Sequence, residues 1–222
     1  MSTFPAFLST LCEADVAALA ERWTVRTYRQ DELIIAHGDR DRDVFFILDG
    51  QARVTLFSGL GREVAYRDIQ PGDIFGELAA IDGRERSASV IALELTRTAR
   101  LSAAAFEEIV KSHPALTWAL LQHLSGLLRR MTDRVFEFST LVVRKRLVCE
   151  LLRRADENGR PSEEAIAISI PTHFELASQI STHREAVSRE MSALAKRGLI
   201  ERRGTNLILR DLRGLEALAG KK

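Results

Sequence analysis

The hydrophobic pattern of this chain changes once, near Leu101, and the change separates a strand-rich part from a helix-rich part. Between Thr24 and Leu101, short apolar runs are separated by turn residues such as Asp49-Gly50. An Asp-Gly pair between two such runs predicts a β-hairpin, because glycine adopts a positive φ without steric cost. Beyond Leu101, apolar residues recur at helical spacing. Strands first and helices second predict an α+β protein that begins with a β-sandwich or barrel.

Runs of apolar and β-branched residues indicate the strands, and longer amphipathic runs indicate the helices. The run from Val44 to Leu48 is apolar throughout, so we expect it to be buried on both faces. Strands are predicted at 33–36, 44–48, 52–57, 63–67, 88–92 and 98–101, and helices at 13–23, 103–111, 114–138 and 141–155.

Composition excludes several classes of protein. Of the 222 residues, 45% are hydrophobic and 28% charged, as in an ordinary globular protein. Cys12 and Cys149 form no C-x-x-C pair, which excludes a zinc finger, a cysteine-ligated iron–sulfur cluster and a disulfide scaffold. No run of about eighteen apolar residues occurs, and residues 1–10 lack a basic leader. We therefore expect a cytoplasmic protein without a membrane partner.

The net charge of +1 conceals a difference between two parts of the chain. Residues 1–139 contain 16 Lys and Arg against 20 Asp and Glu, whereas residues 140–222 contain 16 against 11. A basic C-terminal part indicates contact with a polyanion such as double-stranded DNA. A chance imbalance of surface charge is the alternative.

Along the helix predicted to begin at Pro114, five apolar residues alternate between spacings of four and three, as in a two-stranded coiled coil. This seam predicts a homodimer. The alternative is a helix face packed on the chain's own core. The seam consists of Leu124, Leu128, Met131, Val135 and Phe138.

The first cluster with binding chemistry lies within residues 74–90. Gly76 precedes a short helical turn, which leaves backbone N–H groups directed at an anion, while Arg86 supplies a guanidinium and Ser87 a hydroxyl. Together these groups predict a site for one phosphate. Glu77 would repel that phosphate, so we expect it to accept a hydrogen bond from a sugar hydroxyl of the same ligand. The alternative is a structural ion pair between Glu77 and Arg86.

Two T-x-x-E capping boxes lie ten positions apart near the end of the chain. Thr172 with Glu175 predicts a helix that ends near residue 180, and Thr182 with Glu185 predicts a second that ends near residue 196. A hairpin around Gly204 follows. The segment is therefore predicted to be a winged helix-turn-helix.

Three charged side chains project from one face of the second helix. Arg184 and Arg189 are suited to bidentate bonds with guanine, and Glu185 is suited to accept a bond from cytosine. A carboxylate facing DNA weakens sequence-independent affinity, so its presence favours base recognition. Flanking candidates for phosphate contact are His183, Arg202 and Arg203.

Both motifs resemble those of the Crp–Fnr family of bacterial transcription regulators. F-G-E-L-A at 75–79 and R-S-A-S-V at 86–90 resemble the phosphate-binding cassette of cyclic-nucleotide-binding domains, and R-E-A-V-S-R at 184–189 resembles the family's recognition helix. The resemblance covers essentially the whole chain. It implies a β-roll domain at 1–113, a dimerisation helix at 114–139 and a winged helix-turn-helix domain at 140–222.

The resemblance also implies roles for individual residues in effector binding. Glu77 would bind the ribose 2′-hydroxyl of cyclic AMP or cyclic GMP, with Arg86 and Ser87 on its phosphate. Gly76 and Leu78 would add backbone contacts.

On the predicted long helix, Thr132 matches a hydroxyl residue that reaches the base from the partner subunit. Met131 and Leu127 depart from the cyclic-AMP-binding members, which have threonine and arginine at those positions. We therefore expect phosphate and ribose recognition to be retained, while the identity of the base stays open.

By the same resemblance, Arg184, Glu185 and Arg189 read a TGTGA-type half-site of an inverted repeat. Ser181 stands where the turn usually has glycine, so we expect strain if its φ is positive. Effector binding to the β-roll would promote DNA binding by the dimer, with RNA polymerase as a further partner.

Other interpretations stay open at this point. One is a regulator of the same family with a vestigial pocket or a different effector. More remote is a cyclic-nucleotide-binding adaptor or an enzyme, because neither a metal-ligand cluster nor catalytic residues accompany Glu77 and Arg86. A haem ligand is not expected either, since the isolated His37, His113 and His123 suit surface or core roles.

Overall fold

The computed structural model describes residues 19–59, 63–157 and 166–220. Most of the helix predicted at 13–23 lies outside the described residues, as does Cys12; Leu19 and Ala20 are helical, and a turn follows. The chain divides into two compact units, residues 1–129 and 130–222. The division falls within one long helix, Pro114–Thr140.

The first unit contains two four-stranded antiparallel sheets, in the orders β1-β8-β3-β6 and β2-β7-β4-β5. The predicted strands are found with their ends shifted by at most two residues. Strands β1 and β6 were not individually predicted. The bounds are β1 Thr24–Tyr28, β2 Leu33–Ile35, β3 Val44–Asp49, β4 Ala52–Phe57, β5 Glu63–Ile69, β6 Ile74–Phe75, β7 Ser89–Ala92 and β8 Thr96–Leu101.

Strand β3 is buried on both faces, as its continuous apolar run predicts. Val44 and Phe46 join one hydrophobic cluster, and Phe45 and Ile47 join another. Successive side chains of a strand point to opposite faces, so β3 separates the two clusters of the unit.

Helix α1, Glu77–Asp82, lies between β6 and β7, and two helices follow β8: α2 Ala103–Ser112 and the long helix α3 Pro114–Thr140. Leu116 and Leu120 of α3 are buried in the same cluster as Val44 and Phe46. The N-terminal turns of the long helix are therefore part of the β-unit's core.

The second unit packs four helices against a three-stranded antiparallel sheet of order β10-β11-β9. Strand β9 was not predicted, and it extends the predicted wing hairpin into a sheet. The bounds are α4 Val143–Glu157, β9 Ile166–Ser169, α5 His173–Gln179, α6 Arg184–Lys196, β10 Ile200–Arg203, β11 Asn206–Leu209 and α7 Leu212–Ala219.

One of the two predicted capping boxes is confirmed and the other is wrong. Thr172 Oγ1 accepts from the Glu175 N–H at 3.1 Å, and Glu175 Oε2 accepts from the Thr172 N–H at 2.7 Å. Helix α6 instead begins after His183, whose side chain forms no capping bond. The Thr182 N–H bonds to the carbonyl of Ala177 at 2.9 Å, so Thr182 belongs to the turn and not to the helix.

Candidate effector and nucleic-acid sites

Gly76 lies at the start of helix α1, as the sequence predicts, and the position admits only glycine for two reasons. Its φ is +80°, in the left-handed region that strains other residues. A Cβ atom there would also lie 2.7 Å from Arg86 Nη1 and 3.0 Å from the Asp43 carbonyl. Gly76 thus allows a guanidinium to lie directly on the backbone.

The Arg86 guanidinium is buried and already bonded to the protein. Its Nη1 donates to the Gly76 carbonyl at 2.8 Å, and its Nη2 donates to the Asp43 carbonyl at 2.6 Å and to Asp41 at 3.2 Å. An arginine has five N–H donors, so two remain for a ligand among the described contacts. Arg86 pairs with Asp41 and not with Glu77, so the ion pair considered as an alternative is not formed.

Asp41 and Asp43 also bind Arg100, whose Nε donates to Asp43 at 2.6 Å. Burial raises the pKa of the Asp41 carboxyl, but the Asp43 N–H and the charges of Arg100 and Arg86 outweigh it and hold that pKa below its ordinary value. The ion pair between Asp41 and Arg86 thus ties the predicted phosphate-binding loop to the segment before β3.

Glu77 is 4% exposed and lies beside the long helix. Its Oε1 is 3.7 Å from His123 Nε2, and the two side chains are 5% and 16% exposed. The expectation of an isolated His123 is therefore wrong, because the fold brings this residue to the carboxylate predicted to bind a sugar hydroxyl.

The other effector candidates lie at the surface or on the long helix. Leu78 and Ser87 are exposed, and Ser87 lines an open pocket of about 800 Å³ next to the loop. Met131 is half-buried and Thr132 exposed, and both belong to the second unit. Their contact with a base stays a prediction.

The residues of the predicted seam differ in exposure. Leu124 packs against the hydrophobic cluster of the first unit, as the alternative interpretation requires. Leu128 and Val135 are 69% and 66% exposed. Met131 and Phe138 are half-buried. Apolar side chains this exposed at seven-residue spacing favour a second helix as their partner.

In the second unit, the buried Arg134 and the half-buried Arg146 hold the turn between α5 and α6. Arg134 Nη1 of the long helix donates to the Gln179 carbonyl at 2.5 Å. Arg146 Nη1 of α4 donates to the Ile180 carbonyl at 2.8 Å and to the Ser181 carbonyl at 3.3 Å. Ser181 has a φ of +52°, which is the condition under which the sequence predicts strain at this turn.

Glu150 lies at the centre of this arginine cluster and is 3% exposed. Its carboxylate pairs with Arg134 at 3.3 Å, with Arg154 at 3.3 Å and with Arg153. Burial lowers the pKa of the Arg153 guanidinium, but the carboxylates of Glu150 and Glu137 outweigh it and hold that pKa above its ordinary value. The cluster keeps its charges in the interior because each has an opposite partner.

The predicted DNA-reading residues lie together on the surface of α6. Arg184, Glu185 and Arg189 are exposed, and their side chains form no hydrogen bond or ion pair with any described residue. Val187 and Leu194, on the other face, are buried in the core of the unit. The helix thus presents a charged face that is available to a partner.

The wing is the hairpin of β10 and β11, with Arg203 opposite Asn206. Arg202 is exposed. Arg203 Nε donates to Glu201 at 3.1 Å, which partly offsets its charge. Hydrogen bonds from Arg203 and Arg210 hold the pKa of Glu201 below its ordinary value. His183 is exposed before α6.

Comparison with known proteins matches each unit to a domain family. Residues 25–113 match the cyclic nucleotide-binding domain, and residues 145–218 match the Crp-like helix-turn-helix domain. This chain belongs to the Crp–Fnr family. Its members are transcription regulators and not enzymes.

Individual Crp–Fnr relatives align along most of the chain. The transcriptional regulator SdrP of Thermus thermophilus is 31% identical over 183 residues, covering 82% of this chain and 86% of the relative. The cAMP-activated global transcriptional regulator Vfr of Pseudomonas aeruginosa is 28% identical, covering 83% and 88%. The crystal structure of a CRP/FNR-family regulator from Thermus thermophilus has a TM-score of 0.70 at 27% identity, covering 89% and 98%.

Sequence reasoning missed several residues of these Crp–Fnr sites. Asp41 and His123 gave no signal, because an isolated charged or polar residue resembles a solvent-exposed one. Glu150 could have been found, since Arg153 and Arg154 follow it at the spacing of intrahelical ion pairs.

Within the described residues, no helix is both long and apolar enough to cross a membrane.

Proposed function

We propose that this protein is a homodimeric, ligand-gated transcription regulator that binds a cyclic nucleotide through its first unit and an inverted-repeat DNA site through its second. The chain's membership of the Crp–Fnr family and the match of each unit to one of these domains support the proposal. A DNA partner supports action in the cytoplasm, where RNA polymerase would be the further partner.

The observation that carries the proposal is the charged face of α6. Arg184, Glu185 and Arg189 are exposed there without partners among the described residues, above a buried apolar face. Two such helices related by a two-fold axis would engage half-sites about 34 Å apart. The resemblance of R-E-A-V-S-R to the family's recognition helix supports a TGTGA-type half-site, and two arginines and a carboxylate suit its guanine and cytosine bases. Arg202, Arg203 and His183 would contact phosphates.

For the effector, the loop from Gly76 to Ser87 supports a cyclic nucleotide. Arg86 retains two donors for a phosphate, and Glu77 would accept a bond from the ribose hydroxyl. Met131 and Thr132 would contact the base. Relatives that are named cAMP-activated favour cyclic AMP over cyclic GMP as the effector.

The dimer would form along the long helix. Leu128 and Val135, which are mostly exposed, would be covered by the same residues of a second chain, together with Met131 and Phe138. A two-fold dimer matches the symmetry of an inverted repeat.

Titration of a fluorescent duplex that contains two TGTGA-type half-sites, with and without cyclic AMP or cyclic GMP, tests gating and DNA binding together. Coupling of about 1–3 kcal/mol predicts at least about a fivefold gain in DNA affinity with the right nucleotide. Equal affinities under all conditions would contradict gating by these nucleotides and would leave DNA binding intact.

The variant Arg184→Ala tests base recognition. We expect it to weaken binding to the duplex by about 1–3 kcal/mol, without a change in thermal stability or nucleotide affinity. Arg202→Ala is the matched control, because loss of a phosphate contact weakens binding to all sequences alike and lowers the salt dependence. A loss for Arg184→Ala that is the same on unrelated DNA would contradict a base-reading role.

A further inference from the structure

The end of the long helix meets the rest of the second unit through charged side chains. Residues 130–140 are all described, and of these only Arg134 and Glu137 are buried, each being 8% exposed. Among the described residues, no member of that unit's hydrophobic cluster belongs to the long helix. The buried part of this contact is therefore polar.

Arg134 connects the long helix to two other helices at once. Its Nη1 donates to the Gln179 carbonyl at the end of α5, at 2.5 Å, and its Nη2 donates to Glu150 Oε2 of α4 at 3.3 Å. Glu137, which lies nearly one turn further along the long helix, accepts from Arg153 Nη2 at 2.8 Å. The described bonds thus hold the long helix against both α4 and the turn that follows α5.

Hydrogen bonds fix the position of a helix more strictly than apolar contacts do. Hydrophobic attraction has no direction, whereas a hydrogen bond weakens steeply as its angle and length change. A shift of the long helix by the rise of one residue, about 1.5 Å, would break the bond from Arg134 to the Gln179 carbonyl unless the turn moved too. Because a buried polar group without a partner is costly, we expect the turn to follow the long helix.

A second contact between the long helix and this turn is less directional. The half-buried Phe138 lies against the Arg146 guanidinium, 5.8 Å from the ring centre, and Arg146 donates to the carbonyls of Ile180 and Ser181. The face of an aromatic ring attracts a cation over a range of positions. This contact therefore tolerates a shift that the bond from Arg134 does not.

The Gln179 carbonyl lies close to the start of the DNA-facing helix. Gln179 is the last residue of α5, and α6 begins five positions later at Arg184. Between them, the Thr182 N–H bonds to the Ala177 carbonyl at 2.9 Å, which closes the turn. A displacement of the Gln179 carbonyl is therefore expected to move the first turn of α6.

We propose that Arg134 is the positioning residue that transmits the effect of the nucleotide from the long helix to α6. The inference rests on the proposed nucleotide gating and deepens it. Arg134 lies three positions after Met131, the proposed base contact, and residues at this spacing share a helix face. Arg134 acts through the Gln179 carbonyl and not by touching the nucleotide or the DNA.

The test compares Arg134→Met with Arg154→Met. Arg154 is the matched control, because it also pairs with Glu150 at 3.3 Å and also bonds to Gln179, at its side-chain Oε1 and 2.7 Å, but belongs to α4. Both variants and the wild type are titrated with the TGTGA-type duplex, without nucleotide and with saturating cyclic AMP or cyclic GMP. The measured quantity is the ratio of the two Kd values for DNA.

We expect the nucleotide to tighten DNA binding by the wild type at least about fivefold. Arg154→Met should keep this ratio, and Arg134→Met should bring it close to one, since only Arg134 joins the long helix to the turn. DNA should likewise cease to tighten nucleotide binding in Arg134→Met, because coupling is reciprocal. Loss of stability alone would not change the ratio in folded protein.

Far-UV circular dichroism melts establish that each variant is folded. Glu150 keeps Arg153 and Arg154 as partners in Arg134→Met, so we expect this variant to fold. If it does not, Arg134→Lys replaces it. Lysine keeps the charge but lacks the planar fork that bonds a carbonyl and a carboxylate together, so the ratio should fall below that of the wild type.

The outcomes separate the two proposals. If the wild type binds DNA equally with and without either nucleotide, the proposed gating fails and the role of Arg134 fails with it. If the wild type is gated but the folded Arg134 variant keeps the full ratio, the positioning role is overturned while gating stands. Equal loss of the ratio in Arg134→Met and Arg154→Met has the same meaning.

Discussion

Two turns of this protein, one in each unit, are held by buried or half-buried arginines, and the turns differ in what else those arginines do. In the first unit, Arg86 donates to the carbonyl of Gly76, a residue with positive φ, and is also the proposed contact for a phosphate. In the second unit, Arg134 and Arg146 donate to carbonyls of the turn that contains Ser181, which also has positive φ. The arginines proposed to meet DNA are others, on the surface of α6.

In the first unit, stability and the proposed ligand binding depend on the same arginine. In the second unit, stability and the proposed DNA binding depend on different arginines. A substitution near Arg86 is expected to change folding and ligand affinity together, because one guanidinium would serve both under the proposed function. In the helix-turn-helix, Arg134 and Arg146 hold the turn, while the exposed arginines of α6 are the proposed contacts to DNA. We therefore expect substitutions to change the stability and the nucleotide-free DNA affinity of the second unit independently.

The largest expected effect comes from removing the centre of the buried cluster. Glu150→Ala should lower the free energy of unfolding of the second unit by about 3–5 kcal/mol, because Arg134, Arg153 and Arg154 lose their shared carboxylate. Chemical denaturation followed by far-UV circular dichroism measures the loss. Fluorescence of Trp23 and Trp118, which both lie in the first unit, reports that unit in the same sample.

The control for this prediction is Glu190→Ala, which removes the partner of Arg144. That pair is at the surface, since the Arg144 side chain is 47% exposed, so we expect a loss below about 1 kcal/mol. Equal losses in the two variants would show that the buried cluster stabilises the unit no more than a surface ion pair does.

Gly76→Ala tests the joining of stability and binding in the first unit. The new Cβ would lie 2.7 Å from Arg86 Nη1, which is too close, so the guanidinium would have to move. Because the positive φ adds strain, we expect the free energy of unfolding of the first unit to fall by about 2 kcal/mol or more. Cyclic-nucleotide affinity should fall in the same variant. Denaturation and calorimetric titration measure the two effects.

Gly198→Ala is the matched control, since Gly198 lies in the second unit and its φ is +72°, but a Cβ there meets no atom within 4 Å. It should cost only the strain of the backbone, about 1 kcal/mol, and leave nucleotide affinity unchanged. If Gly76→Ala lost stability but bound the nucleotide normally, folding and binding would be separable in this unit as well.

A smaller change of opposite sign is expected for Ser181→Gly. Glycine adopts the φ of +52° without strain, so the free energy of unfolding of the second unit should rise by about 1 kcal/mol. DNA affinity should not change, because the exposed face of α6 is left intact. Weaker DNA binding in a more stable variant would show that the strain itself helps to orient the helix.

The smallest expected effect is a dependence on pH that is specific to the first unit. The pKa of Asp41 is lowered on folding, so its contribution to stability is present above the unfolded pKa of about 3.9 and is lost as pH falls through the folded value. Asp41→Asn should therefore lower the melting temperature at pH 7 and flatten its fall below about pH 4.

Thermal melts followed by tryptophan fluorescence, at pH values from about 7 to below about 4, measure this effect. Asp39→Asn, which alters an exposed carboxylate two positions earlier, serves as the control and should follow the wild type. An unchanged acid limb in Asp41→Asn would contradict a stabilising role for the pair with Arg86.

Most of the elements and both motifs could be predicted from the sequence because their signals are local. The run at 44–48, the glycine at 76 and the capping box at Thr172 each depend on neighbours within a few positions, and the structure confirms all three. The second capping box failed for a reason that is also local. The T-x-x-E pattern does not show whether the threonine belongs to the preceding turn, and here Thr182 does.

By itself, the sequence determined the α+β order of elements, the position of the phosphate-binding loop and the charged face of α6, since periodicity, turn chemistry and short motifs act over a few residues. Only the tertiary structure decided which charges meet: Asp41 with Arg86, His123 with Glu77, and Arg134 with the Gln179 carbonyl. These partners are more than 40 positions apart, and a charged residue in a sequence gives no sign of whether it faces water or a distant partner. The folding of the chain makes that choice, because a charge is buried only where an opposite charge or a hydrogen-bonding group offsets its loss of hydration.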